Sequence, residues 1–175
     1  YVADFTLDGD RLKEVWDAAE PIPELYSVQN EKFKYASDIR LLYSPMALYV
    51  GAILEQPMGE LTAKWDQHDL PVYNDDGLEL IFFNEGERSD HLYHFAFNAL
   101  GYHFDSRNGL RSYNVHGVES KTRRLDDRWE IEVKIPYKGF FRERPFAGDV
   151  TAARIHRFFA KEHIRGSTPR LLKDG

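Results

Sequence analysis

At 175 residues, with 42% apolar and 30% charged side chains, the chain is long enough for one soluble globular domain with a single core. Its formal charge of -6 argues against a nucleic-acid partner, because phosphate binding needs clustered Lys and Arg. It has no cysteine, which excludes disulfides and thiolate metal sites, and no apolar run long enough to span a membrane as a helix. Aromatic residues make up 14% of the chain, a load that suits the space between two packed sheets and also a sugar-binding surface.

Tyr1 to Leu7 alternates roughly and stops at the turn residues Asp8-Gly9-Asp10, so a first strand is expected there. The chain opens without Met, and we expect that a signal peptide or an upstream domain precedes it. Leu12 to Ala19 reads as a short helix or extended arm with Val15 and Trp16 inward, ended by Pro21 and Pro23. Leu25 to Tyr35 reads as a loosely patterned strand. Asp38 to Tyr43 and Ala47 to Leu54, joined at Ser44-Pro45, read as an antiparallel pair.

Glu55 to Pro71 has no strong pattern beyond one helical turn at Leu61 to Trp65, and long loops of this kind tend to carry function. The polar cluster Tyr73-Asn-Asp-Asp-Gly77 then runs into the apolar strand Leu78 to Phe83, with Asn84 to Asp90 as a hairpin loop and Leu92 to Gly101 as the return strand. Within the first of these strands Glu79 stands between Leu78 and Leu80. A carboxylate there must face solvent, find a partner such as Arg40 or Arg154, or touch a ligand.

Tyr102 to Asp105 and Tyr113 to Arg123 read as further strands. Trp129 to Ile135 has the cleanest alternation, with Trp129, Ile131, Val133 and Ile135 on one face and Glu130, Glu132 and Lys134 on a face expected to be wet. Tyr137 to Phe141 reads as a helical turn and Val150 to Phe159 as the last strand, while the tail after Lys161 shows no hydrophobic pattern. Many short strands separated by turn signals, with one or two short helical turns, imply an all-β antiparallel sandwich spanning residues 1–175 as a single domain.

The order of motifs resembles the family 9 carbohydrate-binding modules. The resemblance rests on Leu7-Asp-Gly-Asp10 with Val15-Trp16, Arg40-Leu-Leu-Tyr43, Ala47-Leu-Tyr-Val-Gly51, Asn74-Asp-Asp-Gly-Leu-Glu-Leu-Ile-Phe82, Tyr93 to Gly101 and Trp129 to Pro136. It runs from about Phe5 to Phe158. It implies an immunoglobulin-like sandwich related to the DOMON domains, a saccharide ligand bound at its reducing end, structural calcium, and attachment to a glycan-degrading enzyme outside the cytoplasm: secreted, periplasmic or at the cell surface. Tyr73 matches one aromatic wall of the family's sugar site, Glu79 its hydroxyl-binding carboxylate, and Asn98 the polar residue of the neighbouring strand. The family's second wall is a C-terminal Trp. This chain has none after Trp129, which leaves Phe158, Phe159 or His156 as substitutes.

Residue chemistry agrees, since pyranose C–H faces stack on aromatic rings and hydroxyls need planar donors and acceptors. The candidate ligand-binding residues are Tyr73, Glu79, Asn98 and Arg154, with Trp65 and His68 at the rim. Calcium needs hard oxygen ligands, for which Asp66, Asp69, Asp75 and Asp76, or Asp8 and Asp10, are available, although Asp is also an ordinary turn residue. No glycosidase carboxylate pair or nucleophile motif is evident, and His91 and His94 fall on opposite faces of a strand, so an enzyme is not expected. Haem, which relatives of the sandwich hold, would require an axial ligand such as Met46, Met58 or His in a deep pocket and is not expected either. A spacer sandwich without ligand is the remaining alternative. We expect a monomer, within a larger polypeptide.

Overall fold

The computed structural model describes residues 1–29, 31–83, 92–139 and 152–168. Two antiparallel sheets dominate it. The first has four strands: β1 (Ser37–Tyr43), β2 (Ala47–Glu55), β6 (Glu119–Arg124) and β7 (Arg128–Pro136), in the order β1-β2-β7-β6. The second has five: β3 (Gly77–Phe83), β4 (Leu92–Asn98), β5 (His103–Arg107), β8 (Ala152–Phe159) and β9 (Ile164–Thr168), in the order β5-β4-β3-β8-β9. Helix is confined to 3₁₀ turns at Glu14–Ala18, Met58–Glu60 and Val72–Asn74.

Period-two patterning builds the core. Val50, Ala52 and Leu54 of β2 and Trp129, Ile131, Val133 and Ile135 of β7 meet Leu78, Leu80 and Phe82 of β3, Phe95 and Phe97 of β4, and Ile155 and Phe159 of β8. All are buried, and truncating a residue such as Trp129 should cost about 3–5 kcal/mol. One cation also points inward. Arg157 donates to the carbonyls of Tyr35, Ala36 and Glu55 and to Ser37 Oγ, which offsets the cost of burying its charge. Burial still pulls its pKa down to about 10.

The four-stranded sheet departs from the expected wet face. Glu130 and Glu132 are both fully buried, because the segment before β1 lies across them. Tyr1 to Leu7 is therefore not a strand. It is irregular chain packed, with Trp16, on the outward side chains Leu42 and Tyr49. Gly51 makes room, since a Cβ there would stand 2.7 Å from the Trp16 ring.

Further expectations change. Leu25 to Tyr35 forms only isolated bridges, Tyr26 to Lys32 and Tyr26 to Ser167. The strand expected from Tyr113 begins at Glu119, and the helical turn expected at Leu61 to Trp65 lies at Met58–Glu60 instead. The unpatterned tail contributes β9, which pairs with β8 from Ile155↔Thr168 to Phe159↔Ile164. Main-chain bonds rather than hydrophobic alternation hold it. Residues 137–139 are not helical, and the rest of that expected turn, like the Asn84 to Asp90 hairpin, lies outside the described residues.

Candidate functional site

The outer face of the five-stranded sheet is a lattice whose rows follow from the register. One row places Ser106, His94, Ile81 and Arg154 side by side; the next has Phe104, Ala96, Glu79, His156 and Ser167; the third has Asn98, Gly77, Phe158 and Arg165. The 3₁₀ turn at Val72–Asn74 sets Tyr73 at the β5 side, its ring edge-on to Phe104 at 5.1 Å and 6.5 Å from the His94 ring. Arg111 completes that side, bonding the Tyr73 hydroxyl and lying over the Tyr73 and Phe104 rings at 5.8 and 5.4 Å.

Glu79 is at the centre and only 4% exposed. His94 Nε2 lies 3.0 Å from its Oε2, and an ionised carboxylate can only accept, so the imidazole donates. Arg165 Nη2 lies 2.9 Å from Oε1, yet off the direction of its N–H groups, so this oxygen accepts no hydrogen bond. Burial is the largest influence on Glu79 and favours its neutral form. The His94 bond and the charge of Arg165 outweigh it and hold the carboxyl below its usual range. Beside it, both ring nitrogens of His156 are buried without partners. Burial lowers the pKa of His156 to about 4 against the opposing pull of Glu79, so the ring is neutral at pH 7.

Three of the four sequence candidates, Tyr73, Glu79 and Arg154, therefore come together on this face, and Arg154 makes no hydrogen bond or ion pair with another described residue. The fourth is corrected. Asn98 belongs to the same lattice but is fully buried beneath the Leu61–Asn74 loop. Its amide donates to Trp65 O (2.7 Å) and Asp75 Oδ2 (2.9 Å), and its oxygen accepts from Leu100 N (3.1 Å) and Tyr102 N (3.0 Å). Every bond it can make is made inside the protein, and its work is to fix the loop that carries Tyr73.

Of the substitutes for a second aromatic wall, Phe159 points inward against Tyr35 at 5.0 Å. Phe158 and His156 face outward, with the Arg165 guanidinium 5.6 Å from the Phe158 ring centre. Of the rim candidates, Trp65 packs beside Val72, Ala96 and Phe104, whereas the exposed His68 sits against Tyr102 and His103. Glu79 pairs with neither Arg40 nor Arg154: Arg40 is on the other sheet and binds Asp38.

Sequence reasoning missed Phe104, Arg111 and Arg165, and it missed His94 as the partner of Glu79. Alternation along β8 put Arg154, His156 and Phe158 on one face in plain view. Arg165 carried no such signal, because Ile164–Thr168 has no apolar period.

Of the carboxylates named for calcium, Asp75, Asp76, Asp8 and Asp10 bond within the protein, and Asp75 Oδ1 is buried without a hydrogen-bond partner. Asp75 Oδ2 accepts from the amides of Lys64 and Trp65, both at 3.0 Å, and from Asn98. Asp76 accepts from Gln56 Nε2 and Thr62 N, both at 2.8 Å, and from Ala160 N at 2.6 Å. Asp8 and Asp10 cap their own turn and pair with Lys13 and Arg123. Among the described residues no group of three or more His, Asp or Glu side chains is placed to hold a metal ion.

The described residues thus form a two-sheet antiparallel sandwich with an aromatic and carboxylate platform on the outer face of its five-stranded sheet. No protein-family model matches the sequence, and no curated protein sequence matches it. The fold has clear counterparts among solved structures. A family 9 carbohydrate-binding module from Caldicellulosiruptor kristjanssonii in complex with glucose is similar with a TM-score of 0.70 at 18% identity, over 94% of this chain and 81% of that one. The complex of such a module from the same organism with cellotriose gives 0.68 at 16% identity, over 94% and 80%. A Bacteroides uniformis protein described as carbohydrate-binding gives 0.70 at 17% identity, over 97% and 87%. The chain has the fold of the family 9 carbohydrate-binding modules.

Proposed function

We propose that this chain is a non-catalytic carbohydrate-binding module that takes the end of a mono- or oligosaccharide on the outer face of its five-stranded sheet. The observation that carries the proposal is the pairing of buried polar atoms that lack hydrogen bonds with partly exposed aromatic rings. Glu79 Oε1 and both nitrogens of His156 have no hydrogen-bond partner, and Tyr73 and Phe158 flank them. Buried polar atoms are normally satisfied, and leaving one unpaired costs about 1–3 kcal/mol. Sugar hydroxyls would satisfy these, while the pyranose C–H face stacks on Tyr73, with Phe158 as the opposing wall.

The rigidity of the strands and the tether from Asn98 to the loop hold these groups in place before the ligand arrives, which limits the ordering cost of binding. The complexes of similar modules with glucose and cellotriose support the ligand class. A glycosidase needs two carboxylates across the scissile bond, and among the described residues Glu79 is the only acid that the register puts on this face. The role that follows is delivery: the module holds a larger protein, such as a glycan-active enzyme, against its glycan outside the cytoplasm.

Calorimetric titration with glucose, cello-, xylo- and manno-oligosaccharides and uronic acids tests the proposal. Saturable binding that Glu79→Gln weakens about 10- to 100-fold is the expected result. Absence of binding by the unmodified protein to every sugar tried would overturn it.

A further inference from the structure

The charges on this face run against those of the whole molecule. The chain carries -6 overall, but the platform gathers three guanidinium groups around one carboxylate. Arg154 stands in the row next to Glu79 and His156 on one side, and Arg165 stands in the row on the other. A two-residue step along a strand is roughly 7 Å, so the two arginines bracket the central row. Arg111 closes the aromatic end over Tyr73 and Phe104.

Among the described residues Glu79 is the one acid that meets these cations, through Arg165. Arg154 has no partner among the described residues, Arg165 shares Glu79 with His94 and is 44% exposed, and Arg111 bonds a neutral hydroxyl. The strands supply no second acid: the outward positions of β3, β4, β5, β8 and β9 among the described residues hold Glu79 alone. A neutral sugar offers these guanidinium donors only neutral hydroxyl acceptors. A planar carboxylate matches the guanidinium fork, and each charge-assisted bond formed in a partly desolvated site is about twice as strong as a neutral one.

We infer that the preferred ligand is an acidic saccharide, a hexuronic acid at a glycan end, whose carboxylate is taken by Arg154 in the row beside Glu79 while its ring lies on the aromatic wall, where Arg111 adds to the positive field. The inference rests on the sugar-binding reading above and narrows it. Glu79 then receives hydroxyls and Arg154, one row away, receives the carboxylate, so that like charges are kept apart.

The test is a set of titrations at low and at physiological salt with glucuronic and galacturonic acids, their short oligomers, the matching neutral sugars and a sulfated hexose. The uronic acids should bind at least about 10-fold more tightly than the neutral sugars, an advantage that shrinks as salt rises. Arg154→Met, at a half-exposed position, should cut the uronate-to-neutral affinity ratio toward unity, and Arg111→Met gives a second reading of the same ratio. Equal affinity for neutral and acidic sugars would overturn the inference and leave the module reading standing. Failure of every sugar to bind would remove the reading beneath it. Equal binding of sulfated hexose and uronate would overturn the carboxylate assignment.

Discussion

Two glutamates hold corresponding places in the two sheets. Glu132 sits in the middle of β7 and Glu79 in the middle of β3, each on the outward side of an interior strand. The four-stranded sheet closes over its acid. Glu132 accepts from the amides of Asp8 (2.8 Å) and Gly9 (2.9 Å), from the Trp16 indole (2.8 Å) and from Lys13 Nζ (2.9 Å), so it serves as the anchor on which the N-terminal segment folds. The five-stranded sheet leaves its acid half engaged, with His94 on one oxygen and no hydrogen bond on the other. A carboxylate in a strand is structural where covering chain saturates it and available where nothing does. That difference, not the residue type, separates the two faces.

The largest effect should come from breaking the closed face. Glu132→Ala removes the acceptor of four donors and leaves buried groups unpaired, which should cost about 3–5 kcal/mol. Urea denaturation would measure this, and a loss below about 1 kcal/mol would contradict the anchoring role. Sugar affinity at subsaturating denaturant should be untouched, since the face is on the other sheet.

The opposite pattern is expected on the open face. Glu79→Gln keeps the shape but gives up a charged acceptor worth about 1.5–3 kcal/mol, so affinity should fall about 10- to 100-fold with a smaller change in stability. A stability loss as large as that of Glu132→Ala, with affinity retained, would make the two acids equivalent. Tyr73→Ala should weaken binding by about 0.5–1.5 kcal/mol through lost stacking. An unchanged dissociation constant would take Tyr73 out of the site.

The smallest effect is a pH slope. His156 and His103 are each lowered from 6.5 to about 4, mainly by burial, and so oppose protonation in the folded state. Asp105 is raised from 3.8 to about 6, also by burial, and works the other way. Between pH 4 and 6 the unfolded chain binds two more protons at the histidines and one fewer at the aspartate. Stability should therefore rise with pH across this window and level off above the ordinary histidine value of 6.5. Glu79, whose pKa is held below the usual 4.5 by His94 and Arg165 against burial, loses its contribution as pH falls below 4.5 and through its lowered folded value. Melting temperatures of the wild type and His156→Gln would check this, the variant giving a flatter slope. An unaltered slope would place His156 outside the buried neutral set.

The fold was legible where alternation was strong. Trp129 to Ile135, Ala47 to Leu54 and Leu78 to Phe83 each show which residues face the core, because a period of two leaves one buried set. Legibility failed in two characteristic ways. The alternation of β7 cannot tell a wet face from one covered by distant chain, so Glu130 and Glu132 read as exposed. The pattern of β9 is invisible because a strand held by its neighbour's main chain needs no hydrophobic code.

For the site, the sequence by itself determined that a carboxylate interrupts an apolar strand just after an aromatic, and that Arg154, His156 and Phe158 share a face. Only the tertiary structure decided what those residues do. It brought Arg165 and Arg111 from remote segments to the same platform, turned Asn98 into a loop tether, and left Glu79 Oε1 and both His156 ring nitrogens without hydrogen bonds. The reason is physical: periodicity fixes which way a side chain points, but whether its polar atoms are satisfied depends on chain tens of residues away.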